Sequence, residues 1–347
     1  MRDLKEFKNV SDAIKEVSNN IRDYEDTDEG KYLTVSYSKM SLFNNCHRRY
    51  LYQYIEQKYA YNDSIATELG TLFHAILELK GKNVINNVEH DYDLYKNLLY
   101  DGIDEETKKH TNHILGVNEL KEKYPKEWNT PDKFGNTYDN KTEVFLNEVL
   151  PTRIEDKEWK VLACEHPFKF VYDDKIIIHG SIDRIDYRED ARGNRQYRVV
   201  DYKTSKAIYD ESETKTSLQM FTYALAILHE FGSLPTEYLY DFIAINKTQK
   251  AMTNGYFKRG IKKIDKFIED EKKCKEKDIY KPSPSPLCYF CSFHDASSPH
   301  ASEKYEGLCK YHSLWTPENR TFETKEQWNG GSIRDLGNKP KERRFVF

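Results

Sequence analysis

Gly180-Ser181-Ile182-Asp183-Arg184-Ile185-Asp186 and Val199-Val200-Asp201-Tyr202-Lys203-Thr204-Ser205-Lys206 read as the two arms of one β-hairpin. Each arm sets an acidic residue directly after apolar, β-branched ones, and Arg192-Gly193-Asn194 between them is a turn signal. Side chains two apart in a strand share a face, so Asp201 and Lys203 project together. Two carboxylates and one lysine converging on a sheet edge can hold a divalent cation and activate a water. The ligands for such a cation are Asp183 and Asp201, with the Tyr202 carbonyl between Asp201 and Lys203 as a further oxygen donor. An ordinary lysine, with a pKa near ~10.4, is too basic to take a proton at neutral pH. Lys203 therefore either has its pKa lowered by burial or acts as a positive clamp. This is phosphodiester-cleaving chemistry, which needs a charge sink, a positioned water and a proton acceptor. The motif D-x-K alone also describes an ordinary surface ion pair.

Outward from the hairpin, Val161 to Tyr172, Lys175 to Tyr187 and Gln196 to Tyr202 have strand character. Leu218 to Phe231 is predicted as a helix stopped by Gly232, Tyr238 to Asn246 as a strand, and Gly260 to Lys273 as a charged helix. Upstream, a helix opens at Ser38 or Ser41 and runs through Tyr50, Leu51, Tyr54 and Ile55. A second starts near Thr67 and carries Phe73, Ile76 and Leu77. Residues from about 81 to 150 are polar, with helical pieces at Tyr92 to Leu99 and Thr142 to Leu150, and have the character of a helical insertion.

The chain has 347 residues and a formal net charge of −4, which by itself argues neither for nor against nucleic acid. His47-Arg48-Arg49 and the set Lys258, Arg259, Lys262, Lys263 and Lys266 are local basic clusters that also suit solvated helix faces. No apolar run is long enough for a membrane span, and the charged N-terminus lacks a signal core. A cytoplasmic protein is expected, or one of the host cytoplasm if phage-encoded. No P-loop is present, so ATP-driven unwinding would have to come from a partner.

Cys288, Cys291, Cys309 and His312 form C-x2-C-x17-C-x2-H, a spacing suited to a structural, tetrahedral zinc. The stiff Pro282-Ser283-Pro284-Ser285-Pro286 stretch leads into it. The final Arg343-Arg344-Phe345-Val346-Phe347 either packs locally or docks to a replication partner.

Four motifs, the two of the hairpin included, stand in a fixed order: Gly70/His74, Gly180/Asp183, Asp201/Lys203 and Gln219/Tyr223. With the helix carrying Cys46-His47-Arg48-Arg49-Tyr50, this series resembles the PD-(D/E)XK nuclease superfamily in its RecB-like branch. The likeness extends to the nuclease domains of CRISPR adaptation and of AddB-type helicase–nucleases. It departs mildly where His47 replaces the usual proline. The resemblance implies an α/β, restriction-endonuclease-like core, with a mixed central sheet flanked by helices, a helical insertion and a C-terminal metal-binding segment. The implied division is a lead-in over 1–35, a nuclease core over 36–280, a cysteine/histidine segment over 281–315 and an extended tail over 316–347. It further implies Mg2+ or Mn2+ held by His74, Asp183, Asp201 and the Tyr202 carbonyl, with Lys203 catalytic. Gln219 and Tyr223 would support the lysine or the DNA phosphate, and Glu165 matches a frequent acidic position. Relatives also carry a [4Fe–4S] cluster on one cysteine before the core and three after it. Cys46, Cys288, Cys291 and Cys309 have that layout, although the gap from Cys291 to Cys309 is long for it. The expected activity is that of a DNA exonuclease in recombination, repair or phage replication, acting on DNA with a helicase, single-strand-binding or replication partner. A non-catalytic DNA-binding or scaffold subunit is the alternative.

Overall fold

The computed structural model describes residues 9–60, 64–104, 113–154, 156–295, 298 and 300–310. The strands, in chain order, are β1 (Ile21–Asp23), β2 (Leu33–Val35), β3 (Lys160–Tyr172), β4 (Ile176–Glu189), β5 (Arg195–Lys203), β6 (Glu237–Phe242) and β7 (Lys247–Lys250). The main helices are α1 (Val10–Asn20), α2 (Tyr37–Asn45), α3 (Ile65–Ile85), α4 (Tyr92–Asp101), α5 (Val117–Lys123), α6 (Tyr138–Val144), α7 (Leu218–Phe231) and α8 (Phe257–Lys277). The chain divides into two compact units, Met1–Tyr37 with Asp63–Asp265, and Ser38–Asn62 with Lys266–Phe347.

The first unit holds a seven-stranded mixed sheet in the order β1-β3-β4-β5-β6-β7, with β2 pairing β4 off that path. The expected hairpin is present as β4 and β5. Asp190 accepts the backbone N–H groups of Arg192 and Asn194, and Gly193 supplies the positive φ (79°) that the turn requires. Strand β4 changes neighbours along its length: Ile176–Ile178 pair in parallel with β2, and Arg184–Glu189 pair with β5. Between the two partners lies the segment that ends at Asp183.

Both faces of the sheet are covered. Val200 and Tyr202 join a core with Leu72, Phe73, Ile76 and Leu77 of α3 and with insertion residues Trp128 and Phe145. The alternate residues of β5 face α7, where Tyr197 stacks on Phe231 at 4.5 Å. Ser64 caps α3 by accepting the Thr67 N–H, and Ser217 caps α7 by accepting that of Met220. Gly232, with φ 71°, ends α7 where the sequence placed the stop.

Three expectations needed correction. The strand predicted over Tyr238 to Asn246 ends at Phe242, where the chain turns into β7. The polar sequence of β7, Lys-Thr-Gln-Lys, has no apolar alternation to mark it, because only one side of it pairs in the sheet. The lead-in before residue 36 contains β1 and β2, both too short to show a period. In the second unit the first helix breaks at Cys46, which takes an extended conformation (φ −160°, ψ 110°) before helical structure resumes at His47–Tyr50. That unit also packs Phe43 against Phe267 and Tyr50 against Tyr280, so residues 38–62 group with the later segment.

A β-carbon added at Gly260 of α8 would meet the Phe221 ring of α7 at 2.2 Å. Alanine is otherwise the better helix former by about 1 kcal/mol, but a rigid ring has no room to give and overpacking costs about 1–3 kcal/mol. Gly260→Ala is therefore expected to lower the urea midpoint.

Candidate active site

The strand change in β4 decides where the site forms. On β5, Asp201 and Lys203 lie on the α7 face, and Gln219 and Tyr223 meet them one helical turn apart. The Lys203 ammonium pairs with Asp201 Oδ2 at 2.5 Å and donates to Gln219 Oε1 at 3.1 Å. Gln219 Nε2 and the Tyr223 hydroxyl both donate to Asp201 Oδ1, at 2.6 and 3.0 Å. Asp201 is only 2% exposed.

The Tyr202 backbone N–H points the other way and donates to Asp183 Oδ2 at 2.6 Å. The buried Tyr202 side chain takes a hydrogen bond from Arg184 at 3.0 Å, which anchors this part of β5 from the α3 face. His74 reaches the same place from α3, with Nδ1 3.6 Å from Asp183 Oδ2 and 4.0 Å from Glu165 Oε1. His74, Glu165 and Asp183 each offer a donor atom within 4.8 Å of the others, among the described residues. One imidazole and two carboxylates make a donor set that fits Mg2+ or Mn2+.

Asp201 stands outside this trio because its oxygens are engaged by Lys203, Gln219 and Tyr223. Glu165 stands inside it. Its backbone is left-handed, with φ 46°, although it lies within β3. Such a conformation costs a non-glycine residue about 1–3 kcal/mol and persists only where its surroundings impose it. Ser181 Oγ donates to its carboxylate at 3.2 Å.

Electrostatics follow from burial. Desolvation, reinforced by Lys203, pushes the His74 imidazole down to about 4, so it is neutral and a competent ligand near pH 7. Burial, with Asp201 and Glu165 nearby, holds the Asp183 carboxyl well above its ordinary range. Burial alone would lower Lys203, but the Asp201 carboxylate more than reverses this and holds it above the ordinary lysine range. Burial, with Asp201 and Asp183 close by, keeps the Tyr223 hydroxyl protonated and able to donate.

In the second unit, Cys46, Cys288, Cys291 and Cys309 line one cavity of about 180 Å3, together with Arg49. No three of these sulfurs lie within 4.8 Å of one another, since the His74 group is the only such set among the described residues. His312 and the Phe345-Val346-Phe347 end lie outside the described residues. Cys164 and Cys274 line no part of this cavity.

Two outcomes check the electrostatics and the strain. A carboxyl whose folded pKa is raised loses stability as pH rises through that value, so Asp183→Asn should raise the melting temperature of the metal-free protein at pH 8. Each kcal/mol regained corresponds to about 2–4 °C, and the variant should lose the stabilisation that Mn2+ gives the native protein. At position 165 both Glu165→Gly and Glu165→Ala remove the carboxylate, but only glycine accepts the positive φ. The glycine variant should be the more stable by about 1 kcal/mol in denaturant melts.

No curated protein matches this chain significantly. The sequence pattern of the PD-(D/E)XK nuclease superfamily matches residues 34–296, which take in every element of the site. Members of that family are typically metal-dependent nucleases. The match, on a mixed sheet that brings D-x-K beside a histidine and two carboxylates, places this chain in the PD-(D/E)XK nuclease superfamily.

Proposed function

We propose that this chain is a Mg2+- or Mn2+-dependent deoxyribonuclease of exonuclease type that works in recombination, repair or phage DNA replication. The observation that carries the reading is the pair of buried Asp201 and half-buried Lys203, locked by Gln219 and Tyr223, beside the His74, Glu165 and Asp183 trio. His74, Glu165 and Asp183 would hold the cation, with Asp201 and the Tyr202 carbonyl at its border. When bound, it would withdraw charge from the scissile phosphate and acidify a water.

The protein groups have separable tasks. Lys203, charged and fixed, acts as a clamp that orients the attacking water or a phosphate oxygen, in preference to acting as a base. Gln219 spans Lys203 and Asp201 and so sets the direction of both side chains. The Tyr202 N–H holds Asp183 in place, and Arg184 holds Tyr202. As water attacks phosphorus the bond to the leaving sugar oxygen breaks, and the proton of the water passes to solvent or to a carboxylate of the trio. The RecB-like order of the motifs supports the exonuclease mode.

For the cysteine cavity we infer a [4Fe–4S] cluster on Cys46, Cys288, Cys291 and Cys309. A tetrahedral zinc, with Zn–S near ~2.3 Å, needs its sulfurs close together, whereas no three of these sulfurs lie within 4.8 Å of one another. A cluster bound by four thiolates accepts wider spacing. Among the described residues Arg49 Nε is buried there without a hydrogen-bond partner, a cation that suits the negative charge of such a cluster.

Lys203→Ala and Asp201→Ala should each reduce Mn2+-dependent cleavage of end-labelled DNA at least about 100-fold while leaving the circular dichroism spectrum intact. Undiminished cleavage by these variants would overturn the assignment of the site, and no Mn2+-dependent cleavage by the wild type would favour the non-catalytic scaffold reading. Anaerobically purified protein should be brown and contain about four irons per chain. A colourless protein with one zinc would instead favour Cys288, Cys291, Cys309 and His312.

A further inference from the structure

One position of α3 meets two segments of the first unit that are themselves strained. Gly81 lies buried within the helix, and a β-carbon there would stand 2.2 Å from Cys164 Sγ and 3.6 Å from Ile154 Cδ1. Ile154, at the end of the insertion, has φ 78°, and Glu165, the residue after Cys164, has φ 46°. Positive φ is uncommon for any residue with a β-carbon, and for a β-branched one it is an outlier that only the surroundings can impose. Apart from proline, glycine is the poorest residue for a helix interior. Position 81 therefore gives up helix stability for a close approach to β3.

That approach bears on the histidine upstream. Gly81 follows His74 by two helical turns, so the two share a face of α3. On β3, Cys164 immediately precedes Glu165. The helix and strand that meet at Gly81 and Cys164 are thus the same two that bring His74 Nδ1 to 4.0 Å from Glu165 Oε1. The Cys164 sulfur does not belong to the His74, Glu165 and Asp183 group, so what it offers here is bulk. A small divalent cation tolerates little displacement of its donors, since Mg2+ demands near-ideal geometry at about 2.0–2.1 Å.

We propose that the Gly81–Cys164 contact is the spacer that sets the separation of α3 from β3, and through it the distance from His74 to Glu165 and the affinity of the site for Mn2+. Gly81 and Cys164 are then positioning residues. A side chain at position 81 either pushes the helix off the strand or drives the sulfur into the strand that carries Glu165. Cys164 has one side-chain torsion, and its β-carbon stays 3.7 Å from the added one, so in a close-packed interior the sulfur has little freedom to give way. The proposal rests on the reading of His74, Glu165 and Asp183 as a cation site, and adds two residues that lie in none of the motifs.

The test measures the Mn2+ dissociation constant of the full chain by isothermal titration calorimetry. Gly81→Ala should weaken Mn2+ binding at least about tenfold, the usual effect of losing a group that orients a metal ligand. Adding Cys164→Ala to that variant should return the constant to within about threefold of wild type, because the space left by the sulfur takes the new methyl group. In cleavage assays Gly81→Ala should need more Mn2+ for its half-maximal rate yet recover most of kcat at saturation. A contact that serves packing alone would lower the melting temperature and leave the affinity of the folded protein unchanged. Wild-type Mn2+ affinity in Gly81→Ala, or a double variant that binds no better than the single one, would overturn the proposal and leave the nuclease reading standing. Should Gly81→Ala fail to fold, Cys164→Val enlarges the same contact from the strand: weaker Mn2+ binding supports the spacer, and unchanged binding overturns it. A wild type that binds no Mn2+ would overturn the cation site itself, and the spacer with it.

Discussion

The site depends on a buried carboxylate paired with a half-buried ammonium. Asp201 and Lys203 are two residues apart on one strand, so the pleat alone aims them the same way. Burying such a pair is tolerable only when the remaining lone pairs and protons also find partners. Gln219 and Tyr223 provide them from one face of α7, and that requirement fixes the rotation of the helix against the sheet. The caps and stop of α7, the tight approach of Gly260 to Phe221 and the stacking of Phe231 on Tyr197 all serve this alignment.

The second constraint is the exchange of neighbours along β4. A strand paired on both sides throughout would have no room for a ligand between its carboxylate and a histidine from a helix. Because β2 pairs with the beginning of β4 and β5 with its end, the stretch leading to Asp183 is open on one side. His74 enters there from α3, and Glu165 reaches it from β3 through a strained backbone. Crowded carboxyls and a left-handed glutamate each cost stability without a cation, a pattern expected where function competes with folding.

Much of the sheet was legible because β3, β4, β5 and α7 carry strong periodicity and explicit turn or cap residues. Misreadings fell on short or polar elements: β1, β2 and β7 lack the length or alternation that marks a strand, and the break at Cys46 follows a helical pattern that continues beyond it. The pairing of Gln219 and Tyr223 with D-x-K could be anticipated from their fourfold spacing and order. The place of Glu165 in the trio was anticipated only through the resemblance, in which it matches a frequent acidic position, since nothing local distinguishes it from other strand glutamates.

By itself, then, the sequence determined which side chains share a face, where the hairpin turns and which helix begins and ends beside it, because these follow from periods of two and 3.6 residues and from local capping. Only the tertiary structure decided that Asp201 is committed to Lys203 while Glu165 joins His74 and Asp183. It also decided that Cys46, Cys288, Cys291 and Cys309 line one cavity. Those outcomes depend on distances between segments far apart in the chain, set by burial and register and not by any local pattern.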